Sequence, residues 1–124
     1  MSAIKVAIID DEAEYVKDLA KGLGILGYEV VTAVSGAAAI DLVNLEKPDV
    51  VLCDYKLGDM DGTEVIKLTK PDNPETRFLL VTAYYDESFK ELFKKAGVDD
   101  VIYKPIKLME IDSTIKKIAE SRRD

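Results

Sequence analysis

Asp49-Val50-Val51-Leu52-Cys53-Asp54 is the stretch whose reading decides the fold. Val50 to Cys53 is apolar without a break, follows Lys47-Pro48, and stops at a carboxylate. Its length suits a strand, and the lack of polar alternation suits one buried on both faces, as in a parallel sheet. Binding sites in open parallel sheets form at the carboxyl ends of strands, where loops converge over a rigid floor. Asp54 stands at such an end. Taken alone it fits a site residue and a turn residue equally, since Asp is well suited to turns.

Outward from this strand the same unit recurs. Ile4 to Ile9 makes a first strand, interrupted by Lys5 and ending in Asp10-Asp11-Glu12. Tyr15, Val16, Leu19, Leu23 and Leu26 then follow at helical spacing until Gly27. Tyr28 to Val34 is rich in β-branched residues and predicts a second strand, and Ser35-Gly36 can cap an Ala-rich helix through Leu45. Beyond Asp54, the loop Tyr55 to Gly62 leads to a helix from Thr63 to about Lys70 presenting Val65, Ile66 and Leu68. Phe78 to Val81 predicts a fourth strand ending in Thr82-Ala83, followed by a helix from about Asp86 to Ala96 with Phe89, Leu92 and Phe93 on one stripe. Val101 to Tyr103 is a fifth strand ending in Lys104-Pro105, and the last helix, Leu108 to Ser121, buries Leu108, Ile111, Ile115 and Ile118. This alternation predicts a parallel sheet covered on both faces.

Composition narrows the function. A chain of 124 residues suits one domain, residues 1–124. Hydrophobic residues at 48% and charged residues at 33% belong to a folded globule. A net charge of -7 argues against a nucleic-acid or membrane surface, either of which calls for a basic patch, while leaving cations welcome. Cys53, the single cysteine, allows no internal disulfide and reads as a buried thiol, which favours the cytoplasm. Met1 to Lys5 lacks a signal-peptide layout, and no stretch is long enough to cross a bilayer. With no histidine, a Ser-His-Asp triad, a His zinc site and an internal phosphohistidine relay are excluded.

Polar residues stand at four strand ends: Asp10 and Asp11, Asp54, Thr82 and Lys104. Parallel strands bring these ends to one edge. Three crowded carboxylates repel one another unless a cation neutralises them. Mg2+ takes hard oxygen ligands and often uses one or two carboxylates beside a phosphate oxygen, which matches this set. A hydroxyl and an ammonium opposite the metal would grip the other oxygens of a tetrahedral anion. Phosphoryl transfer to the Asp54 carboxylate follows as a hypothesis. Each residue also has a plainer reading: Asp10 and Asp11 as a helix cap, Thr82 in a turn, Lys104 solvated, Asp59 and Asp61 as loop or cap residues, Glu12 at the surface.

Val6 to Glu12, Lys47 to Asp54, Met60-Asp61-Gly62, Thr82-Ala83, Ala96 to Asp100 and Lys104-Pro105 together resemble the receiver domain of bacterial two-component response regulators, over the whole chain. The resemblance implies an α/β, three-layer flavodoxin-like fold of five strand-helix units with strand order 2-1-3-4-5. It also implies Asp54 as phosphoacceptor, Asp11 as a direct Mg2+ ligand, Asp10 as an acid acting largely through water, and the Lys56 backbone carbonyl as a further ligand. Thr82 and Lys104 would meet the phosphoryl oxygens, and the Lys104-Pro105 bond is expected to be cis.

Such a protein is a switch and not a conventional enzyme. It would accept a phosphoryl group from a sensor histidine kinase or phosphotransfer protein, catalyse only its own transfer and slow self-hydrolysis, and signal to a downstream protein or output domain. The surface concerned is helix 4, strand 5 and helix 5, including Phe89, Phe93, Val101, Ile106 and Leu108 where exposed, with homodimerisation on phosphorylation as an option. The chain departs from the family pattern in places. Val101 stands where many receivers carry an aromatic switch, leaving Tyr103, Tyr84 or Tyr85 as replacements. Lys56 and Tyr84 hold the positions that govern phosphoryl lifetime, and Gly58, where proline is frequent, is expected to loosen its loop. Three rivals fit less well. A phosphatase of the haloacid-dehalogenase type would place a second Asp where Lys56 stands. A flavodoxin-like binder would need a Ser/Thr/Gly-rich loop in place of Asp10-Asp11-Glu12. A phosphorylation-independent docking module would have no need of Asp10, Asp11, Asp54, Thr82 and Lys104 together.

Overall fold

Val50, Val51, Leu52 and Cys53 are all buried, as an apolar run without alternation requires. They form the central strand of the computed structural model, which describes residues 3–83 and 86–121. The strands are β1 (Lys5–Ile9), β2 (Glu29–Ala33), β3 (Val50–Asp54), β4 (Arg77–Thr82) and β5 (Asp100–Tyr103). All neighbours pair in parallel, in the order β2-β1-β3-β4-β5. The order the resemblance implies is therefore the order observed.

Alternation along β3 divides its side chains between two cores. Val51 and Cys53 pack with Ala39 and Val43 of α2 (Gly36–Glu46), Val65 and Ile66 of α3 (Gly62–Thr69), and Phe93 of α4 (Phe89–Ala96). Val50 and Leu52 pack with Val16 and Leu23 of α1 (Ala13–Ile25) and with Ile111 and Ile115 of α5 (Leu108–Ser121). Helices thus cover both faces. Successive strands are added toward β2 on one side of β1 and toward β5 on the other, so the carboxyl ends of β1 and β3 flank the topological switch point.

Helix limits follow local chemistry. The Ser35 hydroxyl accepts the Ala38 N–H at 3.1 Å and starts α2. Gly27, with φ of +99°, closes α1 in the left-handed region expected of a glycine there. Most boundaries fall within a residue of the sequence reading, and two helix limits have a cause of their own. The fourth helix begins at Phe89, not Asp86, because the Asp86 carboxylate takes the Ser88 N–H and hydroxyl at 2.9 Å each, a local alternative to helix. The third helix stops at Thr69 and passes into a 3-10 turn, Lys70–Asp72. Leu26, Leu68 and Leu92, which share the apolar period of their helices, are exposed. Periodicity locates a stripe but not its width. Among the described residues, no helix is long and apolar enough to cross a membrane.

Gly62 opens α3 directly beneath the end of β3. Its N–H donates to the Tyr55 carbonyl at 2.6 Å, and an added Cβ would lie 2.4 Å from the Asp54 carbonyl oxygen. Backbone cannot swing aside as a side chain can. Gly62→Ala is expected to lower stability by about 1–3 kcal/mol through this clash. Gly24→Ala, with nothing within 4 Å of the new methyl, is expected to be neutral or to raise stability by up to about 1 kcal/mol through helix propensity. Urea unfolding of the two variants checks this, and equal effects would contradict it.

Candidate functional site

The chain leaves β1 through Asp10, whose Oδ1 accepts the Glu12 N–H at 3.0 Å. That bond turns the chain into α1 and fixes the carboxylate, which is only 3% exposed. Asp11 beside it is exposed, and Asp54 ends the neighbouring strand. One oxygen from each of Asp10, Asp11 and Asp54 lies within 4.8 Å of the others. Lys104, just past β5, places its Nζ 3.2 Å from Asp10 Oδ2 and 3.5 Å from Asp54 Oδ1. Its own N–H donates to the Thr82 carbonyl at 2.8 Å, and the Lys104–Pro105 bond is cis. Thr82, at the end of β4 and 1% exposed, shares with Asp11, Asp54, Lys56 and Lys104 the lining of a cleft of about 240 Å³. Every strand-end residue singled out from sequence thus belongs to one cluster.

The cluster carries more negative charge than one ammonium offsets. Burial, reinforced by the charge of Asp10 and opposed by Lys104, pushes the Asp54 pKa up to about 6. Burial works against the charge on Lys104, but Asp54 and Asp10 outweigh it and hold the ammonium pKa above its ordinary value. Such a site gains by taking up a cation. The available donors are hard oxygens, which suits Mg2+ or another hard divalent ion. Cys53 is no competing ligand, because burial drives its thiol pKa far up and keeps it protonated.

The loop between β3 and α3 completes the cleft. The backbones of Lys56 and Asp61 meet in an isolated antiparallel bridge, the Leu57 N–H donates to the Met60 carbonyl at 3.2 Å, and Leu57 is buried. Gly58 has φ of +82°, which proline cannot adopt, so this loop turns where a family proline would not let it. The turn is not left loose. Asp59 Oδ1 accepts the Gly36 N–H at 2.9 Å and Oδ2 the Ala37 N–H at 3.0 Å, tying the loop to the start of α2. These bonds, the Gly36 one foremost, hold the Asp59 carboxyl below its ordinary pKa.

Tyr15 is a neighbour that the sequence reading placed only on the apolar stripe of α1. Lys104 Nζ lies 5.3 Å from the centre of its ring, close enough for a cation–π contact. No sequence signal distinguishes it from the other stripe residues. Of the switch candidates, Val101 is half-buried and Tyr103 is 38% exposed; both line a groove of about 300 Å³ with Lys90, Phe93 and Lys94. Tyr84 and Tyr85 lie outside the described residues. Phe93 is buried, whereas Phe89, Ile106 and Leu108 are half-buried.

A doubly wound parallel sheet with an acidic cluster at its switch point, faced by a hydroxyl and an ammonium, defines a narrow class of α/β domain. Residues 6–116 match the family described as response regulator receiver domain, and the chain belongs to that family. Alkaline phosphatase synthesis transcriptional regulatory protein PhoP of Bacillus subtilis (strain 168) is 34% identical over 92% of this chain and 48% of its own length. The chain spans about half the length of PhoP and of the other transcriptional regulators it matches. A CheY-like receiver domain protein from Methanospirillum hungatei JF-1 is similar in structure with a TM-score of 0.93, 26% identity, and 98% of each chain covered. A response regulator protein from Burkholderia pseudomallei, solved with a phosphorylated aspartic acid, calcium ion and citrate, gives a TM-score of 0.85 at 27% identity, covering 96% of this chain and 70% of that one. Family membership sets aside the phosphatase and flavodoxin readings.

The raised Asp54 pKa has a stability consequence of definite sign. Below the unfolded value of 3.8 the carboxyl is protonated in both states and contributes nothing. As pH rises from there to about 6 the unfolded chain ionises first, so the native state loses stability, and above that the loss is complete. In metal-free buffer Asp54→Asn is therefore expected to be more stable than wild type by about 1–2 kcal/mol at pH 7, after allowance for solvent screening. The gain is expected to vanish near pH 4 and to shrink when Mg2+ is added to both proteins. Denaturant titrations with chelator at the two pH values check it, and a gain independent of pH would contradict it.

Proposed function

We propose that this receiver domain is a phosphorylation-driven switch of a two-component or phosphorelay system, acting in the cytoplasm, with Asp54 as the phosphoacceptor. The observation that carries the reading is the sharing of one ammonium, Lys104, between Asp54 and Asp10, beside Thr82 in a single cleft. Asp10, Asp11, Asp54 and the Lys56 carbonyl are the groups to hold Mg2+. When bound, the ion relieves the repulsion of the carboxylates and neutralises charge on the phosphoryl group.

The residues of the chain do the rest. An Asp54 oxygen forms the new bond to phosphorus as the bond from phosphorus to the donor nitrogen breaks, and the donor keeps that electron pair. With its pKa at about 6 even without metal, Asp54 is mostly ionised at neutral pH and so able to attack. Lys104 and the Thr82 hydroxyl meet two phosphoryl oxygens. The donor is a sensor histidine kinase or a phosphotransfer protein, in keeping with membership of the receiver family, and it lies outside this chain, which has no histidine of its own. The phosphorylated aspartic acid and calcium ion of the Burkholderia pseudomallei protein support both the acceptor and the hard cation.

Output through α4, β5 and α5 has a local support. Tyr55, next to Asp54, packs edge-on against Phe93 at 5.4 Å between centroids and tilted against Phe89 at 5.9 Å. Movement at the end of β3 reaches α4 by that aromatic contact. Val101 and Tyr103 sit on the same groove, with Tyr103 as the aromatic available to respond.

Intact-mass measurement after acetyl phosphate with Mg2+ is expected to add one phosphoryl group to wild type, none to Asp54→Asn, and none with chelator. Modification of Asp54→Asn would move the acceptor elsewhere. Replacing Lys56 and Tyr84 together with alanine is expected to shorten the phosphoryl lifetime several-fold, read as the decay of the phosphorylated mass. An unchanged decay would remove them as its governors.

A further inference from the structure

We infer that Asp59 is a positioning residue for the cation site, coupling the N-terminus of α2 to the loop that carries the Lys56 carbonyl. This rests on the Mg2+ reading above. The first amides of a helix have no partner within it. In α2 the Ser35 hydroxyl takes the Ala38 N–H, and the Gly36 and Ala37 amides are taken by the two oxygens of Asp59, from a different connection of the fold. One carboxylate on two successive amides at the positive end of a helix is a directional, charge-assisted tie.

The contact extends beyond these bonds. A Cβ at Gly36 would come within 2.3 Å of Met60 Cγ, so the start of α2 sits directly on the loop. On the other side of the turn, a Cβ at Gly58 would lie 3.6 Å from Asp11 Oδ2. The loop thus rests on α2 on one side and passes near a carboxylate of the acidic cluster on the other. It is closed at its base by the antiparallel backbone bridge of Lys56 and Asp61, with Asp59 near its tip. Glycine at position 58 gives the tip more freedom than most residues would, and Asp59 is what removes that freedom. Fixing the tip fixes the Lys56 carbonyl three residues before it. The coupling is reciprocal: if Asp59 helps the site hold a cation, the cation must help Asp59 hold the α2 amides.

The competing possibility is that Asp59 merely caps a helix. Ser35→Ala separates the two, because it removes a cap from the same helix end without touching the loop. Mg2+ affinity is measured by titration calorimetry on wild type, Asp59→Ala, Asp59→Asn and Ser35→Ala, with thermal unfolding of each. Asp59→Ala is expected to weaken Mg2+ binding about fivefold, the factor that a typical cap would give if all of it were coupled. Asp59→Asn, which keeps one acceptor oxygen, is expected to fall between. Ser35→Ala is expected to lower the unfolding temperature while leaving Mg2+ affinity unchanged. Hydrogen exchange at the Gly36 and Ala37 amides is expected to slow by a comparable factor when Mg2+ is added to wild type, and not in Asp59→Ala. Wild-type affinity in Asp59→Ala, or equal weakening by Asp59→Ala and Ser35→Ala, overturns the inference. Failure of wild type itself to bind Mg2+ removes the cation site, and the coupling with it.

Discussion

The mutual repulsion of Asp10, Asp11 and Asp54, only partly relieved by Lys104, is the constraint on which the rest of this structure depends. Left to themselves, carboxylates this close would separate or take up protons, and the Asp54 pKa, raised first by burial and next by the charge of Asp10, runs in that direction. Two buried strands prevent separation. Asp10 follows β1 and Asp54 is the last residue of β3, the register pairs Ile9 with Cys53, and neither strand can slide without exposing its apolar side chains. Hydrophobic burial thus holds an arrangement that electrostatics opposes. The outcome is a site predisposed to a cation.

The loops above that floor are held by different means. The β3–α3 loop is tied by Asp59 to α2, and Tyr55 beside Asp54 is packed into an aromatic cluster with Phe89 and Phe93. The first tie is polar and partly exposed, the second apolar and largely enclosed. Charge entering the cleft therefore meets a loop anchored in two directions, toward α2 and toward α4. In the proposed reading these are the routes by which occupation of the site reaches the surface.

Much of this was legible in the sequence because a buried parallel strand leaves so plain a trace. Apolar runs ending in polar residues located four strand ends, and parallel pairing required that they meet. The fold and the membership of the cluster followed. What could not be read depended on distance in space or on backbone detail. Asp59 reads as a loop or cap residue, and nothing in its neighbours indicates that the amides it caps are those of Gly36 and Ala37. Gly58 reads as a position that loosens the loop, and its positive φ and the Asp59 bonds that tie the next residue to α2 are details of backbone and space that the sequence does not display. Tyr15 shares the period of the α1 stripe, but only the placement of Lys104 makes it part of the site. The exposure of Leu68 and Leu92 was hidden for the same reason, since helical spacing says nothing of where a neighbouring helix ends.

Lys104 is where the electrostatics and the switch meet. Its ammonium is divided between Asp10 and Asp54, while its backbone N–H is bonded to the Thr82 carbonyl. A phosphoryl group on Asp54 would raise the negative charge there toward about -2. The balance between the two carboxylates then tips to the Asp54 side, and the side chain follows it. In the proposed reading, the bond from the Lys104 backbone to Thr82 is what would pass such a shift to the end of β4. The register pairs Thr82 with Tyr103, which puts that strand end beside the groove that Tyr103 lines. In the proposed reading, an aromatic at position 101 is therefore not the only means of carrying the signal outward: the shared lysine and its backbone bond would supply a path through the strand ends themselves.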